Sequence, residues 1–273
     1  MFKIVLFLFI FINTAMGDQL FDKIENLIGQ DTLKQHNKLI QLVFKNKEKF
    51  YKTKTQLNYK LILRTLRNKG LLHLKFKSPK SFNIEFLTNT DAIKSLKILN
   101  ETLRAMGYYY YFTISSTYNN EKGAMKWVIS FKTEYALDPY LLTEELRLKS
   151  CKVLDITKIN STYWKYTLDV NNAKIREAVK VDKGEKVIFQ KPLRPYFIEV
   201  TNATKLQVIG RNLNHWFPYI AFYDKHLNVL KVIKKDRVYK GYITNVPRET
   251  KYIKITDLYT LINIKRGLSI IIK

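Results

Sequence analysis

The sequence predicts an α+β protein with a helical N-terminal cap, three helix–strand–strand repeats and a C-terminal antiparallel β-sandwich or jelly roll. Two observations predict this class. A Leu-Arg pair on an amphipathic helix recurs in the first two thirds of the chain, and extended segments follow it each time. Beyond about residue 195 the apolar residues alternate with a period of two, which is typical of strands.

Residues 1–17 are predicted to be a secretion signal peptide. Lys3 precedes an apolar run from Ile4 to Ile12, and Ala15-Met16-Gly17 places small residues at both positions of a cleavage site. The run of about nine residues is too short for a permanent membrane helix, which needs roughly 20. We therefore expect an exported protein, periplasmic or secreted, that is soluble after the signal peptide is removed.

Residues 18–52 are predicted to be a helical segment that covers the first repeat. Leu20, Ile24 and Ile28 share one face of a short helix that Gly29 ends. A second helix follows with apolar residues along one side, from Leu33 to Phe50. Docking of a partner on this segment is the alternative.

Residues 53–172 are predicted to contain the three repeats. The Leu-Arg pairs are Leu63-Arg64, Leu103-Arg104 and Leu146-Arg147. Their intervals of 40 and 43 residues are typical of structural repeats. Gly70 and Gly107 follow the first two helices, where glycine favours a left-handed C-cap, and Ser150 takes this place in the third.

Each repeat helix is predicted to lead into a β-hairpin. The predicted strand pairs are 72–77 with 82–87, 108–118 with 124–135, and 153–159 with 163–170. The first pair is separated by the sequence SPKS, the second by NNEKG and the third by NST.

Residues 173–195 are predicted to form a short helix and a turn-rich linker that contains two prolines. Residues 187–273 contain about eight short apolar runs, seven of them within the predicted domain 196–273, separated by turn residues such as Asn202, Asp224 and Pro247. This spacing predicts a β-sandwich or jelly roll.

Four consecutive tyrosines, Tyr108–Tyr111, follow the second repeat helix. In a strand, Tyr109 and Tyr111 would lie on one face and their neighbours on the other. We expect one face to pack on the repeat helices and the other to contact a neighbouring repeat or a partner. Tyr109 and Tyr111 are the candidate partner-binding residues, and a core role is the alternative.

The middle repeat, LNETLRAMGYYYYFTISSTYNNEKGAMKWVISFKTEY at 99–135, combines a helix that ends in leucine, a glycine, an aromatic pair and a hairpin. It resembles the second half of a POTRA module, a periplasmic repeat of outer-membrane assembly and secretion proteins. The resemblance extends over roughly residues 53–172, although the opening strand and the two helices of that module are matched only in part. It implies a scaffold that binds envelope proteins by adding strands to client segments, and it implies no catalytic residues.

A loop in the C-terminal region is a candidate glycan site. The sequence GRNLNHWFPYIAFYD places an aromatic face beside hydrogen-bonding side chains. The candidate residues are Arg211, Asn214, His215, Trp216 and Tyr219. An indole can pack on the C–H face of a sugar while polar groups bond its hydroxyls. A structural role for Trp216 and His215 is the alternative.

The net charge of +25 favours anionic partners such as acidic polysaccharide or an anionic membrane surface. Nucleic acid is the least expected partner of an exported protein. The lysines are spread along the whole chain, so a compositional bias without function is the alternative. The single cysteine, Cys151, excludes an intrachain disulfide and is expected to be a small buried residue.

No catalytic motif is present, and His36, His73, His215 and His226 fall on different predicted elements. We therefore expect no metal, no cofactor and no enzymatic activity. Two functions remain as hypotheses. The first is an exported envelope scaffold that binds protein partners through its repeats. The alternative is a carbohydrate-binding adhesin or wall-binding protein that uses the C-terminal domain.

Overall fold

The computed structural model describes residues 19–121, 123–175 and 177–273. The predicted signal peptide, residues 1–17, lies outside the described residues. Helices and three β-sheets are both present, so the predicted α+β class is confirmed. Within the described ranges, every helix is too short or too polar to span a bilayer.

The described α-helices lie in the N-terminal part of the chain, and a short 3-10 helix, Leu261–Ile264, lies near its C-terminal end. The α-helices are α1 (Gln19–Ile28), α2 (Gln30–Gln35), α3 (Asn37–Val43), α4 (Tyr59–Asn68), α5 (Ala92–Ala105) and α6 (Pro139–Leu148). A short 3-10 turn, Lys47–Phe50, follows α3. Gly29, with φ of 90°, separates α1 from α2 at the predicted break.

The three repeat helices end with the same backbone geometry. The second residue after each helix has a positive φ, at Gly70, Gly107 and Ser150. In each case two backbone bonds close the turn, for example Tyr108 N to Leu103 O at 2.9 Å and Gly107 N to Arg104 O at 3.0 Å. This is a Schellman motif, so the repeat in the sequence corresponds to a repeated helix end.

One five-stranded sheet collects the strands of all three repeats. Its strands are β1 (Lys75–Thr88), β2 (Phe112–Asn119), β3 (Ala124–Tyr135), β4 (Lys152–Asn160) and β5 (Tyr163–Asp169). The strand order is β2-β3-β1-β5-β4. Central β1 runs antiparallel to β3 and parallel to β5. The strands of the three predicted repeats therefore lie in one sheet.

The predicted hairpin in the first repeat is wrong, because β1 is a single long strand. Lys75, before the SPKS segment, pairs with Tyr135, and Lys80, within it, pairs with Thr133, so the chain pairs with the same strand, β3, on both sides of Pro79. The intervening residues form an irregularity that contains Pro79. Proline has no N–H to donate and is tolerated at such a bulge.

The helices pack against one face of this sheet. Alternate residues of β1, Phe82, Ile84 and Phe86, are fully buried in one hydrophobic cluster with the helices. Trp127 of β3 and Trp164 of β5 belong to the same cluster. The N-terminal helices contribute Leu20, Ile24, Leu27, Ile40 and Phe44 to it.

The C-terminal part consists of short strands in two sheets. The strands are β6 (Val179–Lys180), β7 (Lys186–Ile188), β8 (Tyr196–Glu199), β9 (Lys205–Gly210), β10 (Pro218–Tyr223), β11 (Val229–Lys234), β12 (Gly241–Asn245), β13 (Tyr252–Asp257) and β14 (Leu268–Ile272). Their orders are β11-β10-β13-β8-β6 and β12-β9-β14-β7. Both sheets contribute to a second hydrophobic cluster, which includes Trp216. A jelly-roll connection of these strands stays a prediction.

The helix predicted within residues 173–195 does not form in the described part of this segment. Ala173 and Ile175 are buried in the N-terminal core instead, while Val181 is buried between the C-terminal sheets. These anchors lack helical spacing. Strands β6 and β7 also fall in this segment, so the C-terminal sheets begin before residue 196.

Candidate functional site at the free edge of the five-stranded sheet

The two edge strands of the five-stranded sheet, β4 and β2, differ in what covers their outer sides. Helix α1 covers the outer side of β4. The Asn26 side chain donates from Nδ2 to Lys158 O at 3.1 Å, and its Oδ1 accepts from Lys158 N at 2.9 Å. Lys23 Nζ donates to Ile156 O at 3.2 Å. These side chains occupy backbone groups that a neighbouring strand would otherwise use.

An ionic contact reinforces this cover. Lys23 Nζ lies 2.8 Å from Asp155 Oδ1, and the Tyr59 hydroxyl donates to the same oxygen at 2.5 Å. Burial alone would raise the pKa of Asp155, but hydrogen bonds from Lys23, Thr157 and Tyr59 outweigh it and lower that pKa. Burial and the bond to Asp155 raise the pKa of Tyr59. The carboxylate is therefore charged at neutral pH and holds α1 on β4.

Strand β2 forms the opposite edge, and no described strand lies on its outer side. Its sequence, FTISSTYN, contains neither a charged residue nor a proline. Phe112 is 77% exposed and Ile114 is 62% exposed. A bulge between Thr113 and Ser115 interrupts its pairing with β3. Edge strands are normally protected from unwanted pairing by lysine, proline, a bulge or a covering element, and among the described residues β2 shows only the bulge.

The four tyrosines before β2 divide into an inner and an outer pair. The Tyr108 ring lies 4.9 Å from that of Phe131, and Tyr111 meets Trp127 edge-on at 5.7 Å. The Tyr111 hydroxyl also donates to Asn100 Oδ1. Tyr109 is 66% exposed and Tyr110 is 91% exposed. Of the two predicted contact residues, only Tyr109 is open to a partner, while Tyr111 packs on the core.

This division departs from the alternation expected of a strand, for a local reason. The chain leaves the Schellman turn at Gly107, and β2 begins only at Phe112. Residues 108–111 therefore lack the two-residue period. Burial raises the pKa of both inner tyrosines, Tyr108 and Tyr111.

A depression lies beside the start of β2. It has a volume of about 500 Å³ and is lined by residues 107–112 and 131–133. The aromatic rings of Tyr109, Tyr110 and Phe112 are part of its wall, and Lys132 supplies a positive charge. Such a depression beside an open backbone edge can receive a side chain of an added strand.

The predicted glycan loop does not form a site of this kind. Trp216 is 0% exposed, and its Nε1–H donates to Thr256 O at 2.9 Å. Asn214 is used within the fold, because its Nδ2 donates to Gly267 O and its Oδ1 accepts from Arg266 N. The indole predicted as a stacking platform therefore has no open face.

The remaining candidate residues of that loop, His215, Arg211 and Tyr219, have separate surroundings. His215 is exposed, and its backbone N–H bonds to Asn263 O. Arg211 is half-buried. Tyr219 lies in β10, where Lys234 and Lys254 sit 5.6 and 5.7 Å from its ring centroid. Tyr219 thus contacts two lysines of its own sheet.

The Cys151 thiol and the possible metal-binding side chains do not form a second candidate site among the described residues. Cys151 is buried, and burial raises the pKa of its thiol to about 12, so it is not a nucleophile at neutral pH. Among residues 19–121, 123–175 and 177–273, no group of three His, Cys, Asp or Glu side chains could hold a metal ion.

Sequence reasoning located Tyr109 but missed Tyr110, Phe112 and Ile114 as the exposed residues of the edge. A usable signal was present, because β4 contains lysines and β2 contains no charge at all. The cover of β4 by Asn26 had no signal in the sequence, since its partner lies 132 positions away.

No family model matches this chain, and no curated protein matches it in sequence.

Proposed function

We propose that this protein is an exported, non-enzymatic scaffold that binds extended segments of envelope proteins by strand addition at β2. The observation that carries the proposal is the contrast between the two sheet edges. Helix α1 closes the β4 edge through Asn26 and Lys23, whereas no described strand covers the outer side of Phe112–Tyr118 in β2, which lies beside exposed aromatic side chains.

Strand addition explains why both features occur together. The outward N–H and C=O groups between Phe112 and Tyr118 can supply main-chain hydrogen bonds to an extended peptide, and side-chain pockets supply the selectivity. Tyr109, Tyr110 and Phe112 offer aromatic surface for one or two apolar client residues. Lys132 and the net charge of +25 favour client segments that are neutral or acidic.

Two features of the sequence support the proposal. Residues 53–172 resemble POTRA modules, which bind clients by adding strands. The predicted signal peptide supports a role outside the cytoplasm. Because the three repeats share one sheet, this chain would present a single β2 edge, where separate modules would present several.

The first test is peptide selection on the full chain without its signal peptide. A library of random peptides of about ten residues is long enough for one strand. We expect selected peptides with alternating apolar residues and few positive charges. Their affinity should fall about tenfold or more in the double variant Tyr109→Ser, Phe112→Ser, because both side chains are proposed anchors.

Tyr259→Ser is the matched control, because Tyr259 is 65% exposed and lies on the C-terminal part. Equal affinity of the double variant and the control would overturn the proposal. The occupant of β2 could also be a second copy of the chain. Sedimentation that shows a dimer, with Ile114→Lys restoring the monomer, would replace client binding by self-association.

A further inference from the structure

A second cleft lies where α5 meets the outer face of the sheet that contains β8, β10 and β13. Its volume is about 420 Å³. Its walls come from α5, from the segment before β8 and from the sheet. Clefts between two packed units are a common place for small-molecule sites.

The floor of this cleft is apolar and firmly packed. The Phe197 ring stacks on Tyr252 at 5.5 Å and lies 6.1 Å from the Tyr223 ring. Tyr252 and Leu227 are buried in the cluster that includes α5. Phe197 and Tyr223 therefore line the cleft with aromatic surface, and the Lys97 Nζ lies over the Phe197 ring, 5.3 Å from its centroid.

The walls carry an excess of positive charge. Lys97, Arg104, Arg194 and Lys254 line the cleft, and Glu177 is the one carboxylate among its lining residues. Lys97 is held by Glu101 at 2.7 Å and by Glu177 at 3.8 Å, and Arg194 is paired with Glu177.

The other two cations of the cleft are not neutralised in this way. Within the described residues, neither Arg104 nor Lys254 has a carboxylate at salt-bridge distance. Lys254 instead lies near the Tyr219 ring. A cleft that keeps unneutralised cations above an apolar floor attracts anions with an apolar body.

We propose that this cleft binds an apolar carboxylate, with its body on Phe197 and Tyr223 and its anionic group between Arg104 and Lys254. The site is separate from β2 and does not depend on strand addition. The same chemistry is offered by a small aromatic or aliphatic acid and by the C-terminal residue of a peptide.

Calorimetric titration of the full chain without its signal peptide tests this site. The probes are naphthalene-2-carboxylate, dodecanoate and the peptide acetyl-Ala-Leu-Phe, each beside its amide. We expect at least one acid to bind and its amide to bind about tenfold more weakly, because the amide lacks the charge-assisted bonds. Tight binding of the peptide alone would assign the site to peptide termini, and tight binding of the small acids would assign it to metabolites.

Three variants connect binding to the cleft. The double variant Arg104→Gln, Lys254→Gln should weaken the acid about tenfold, whereas the exposed pair Arg248→Gln, Lys265→Gln should not. Ile93→Glu should abolish binding without loss of stability, since Ile93 is half exposed in the first turn of α5, where an acidic residue is favourable. Absence of binding by every acid, equal binding of the amides, or insensitivity to these variants would each overturn the proposal.

Discussion

The tyrosine run shows how one residue type serves two roles within four positions. Tyr108 and Tyr111 turn toward Phe131 and Trp127, and Tyr109 and Tyr110 turn toward solvent. Composition alone cannot separate them, because the division depends on where the Schellman turn ends and β2 begins. The sequence therefore identified the segment, and for Tyr111 the structure agrees with the alternative of a core role.

This division gives a stability prediction. The free energy of unfolding of the double variant Tyr109→Ser, Tyr110→Ser should lie within about 0.5 kcal/mol of the wild-type value, because neither ring is buried. Tyr108→Ala should lose about 1–3 kcal/mol, because it removes a half-buried ring from the core. Urea denaturation measures both, and a larger loss in the double variant would contradict the assignment.

Glu101 gives a pH prediction. Burial raises the pKa of its carboxyl above the ordinary 4.5, and Lys97 offsets this only in part. The folded protein therefore binds this proton more tightly than the unfolded chain, so stability is lost as pH rises from about 4.5 through the folded pKa. Glutamine has no such proton to lose.

We therefore expect the stability of Glu101→Gln, relative to the wild type, to improve between about pH 4 and about pH 8. Denaturant unfolding at both pH values measures the change. Glu134→Gln is the control, because Glu134 is exposed on β3. A relative stability that falls with rising pH would show that the ion pair with Lys97 outweighs burial.

At the scale of elements, features that depend on adjacent residues were predictable from the sequence, and features that depend on distant strand pairing were not. The ends of α4, α5 and α6 were predictable because a Schellman motif depends on a few adjacent residues. The conformation of the SPKS segment was not predictable, because it depends on how the chain around it pairs with Tyr135 and Thr133 of a distant strand. A segment predicted to be a hairpin turn is therefore an irregularity within one strand.

The cover of β4 gives a prediction for an element. Asn26→Ala should lower the free energy of unfolding by about 1–2 kcal/mol, because two hydrogen bonds to the Lys158 backbone are removed. Hydrogen exchange in β4 should quicken, and that in β13 should not change. The control is Gln30→Ala, which alters an exposed residue at the start of α2. Unchanged exchange in β4 would show that α1 does not protect this edge.

At the scale of the whole molecule, the class and the change from helices to strands were predictable from hydrophobic periodicity. The packing of the two parts was not. The contact of Lys97 with the Phe197 ring at 5.3 Å and that of Asp91 with His226 at 2.8 Å join residues about 100 or more positions apart. The cleft proposed to bind a carboxylate lies at this contact, so it had no signal in the sequence.

The proposed strand addition is tested most directly by amide hydrogen exchange of the full chain with and without a selected peptide. Strand addition predicts slower exchange for the amides of β2, because new main-chain bonds protect them, with no change in β4 or in the C-terminal sheets. Saturating peptide that leaves the exchange of Phe112–Asn119 unchanged would contradict it, since binding would then not involve the backbone of the free edge.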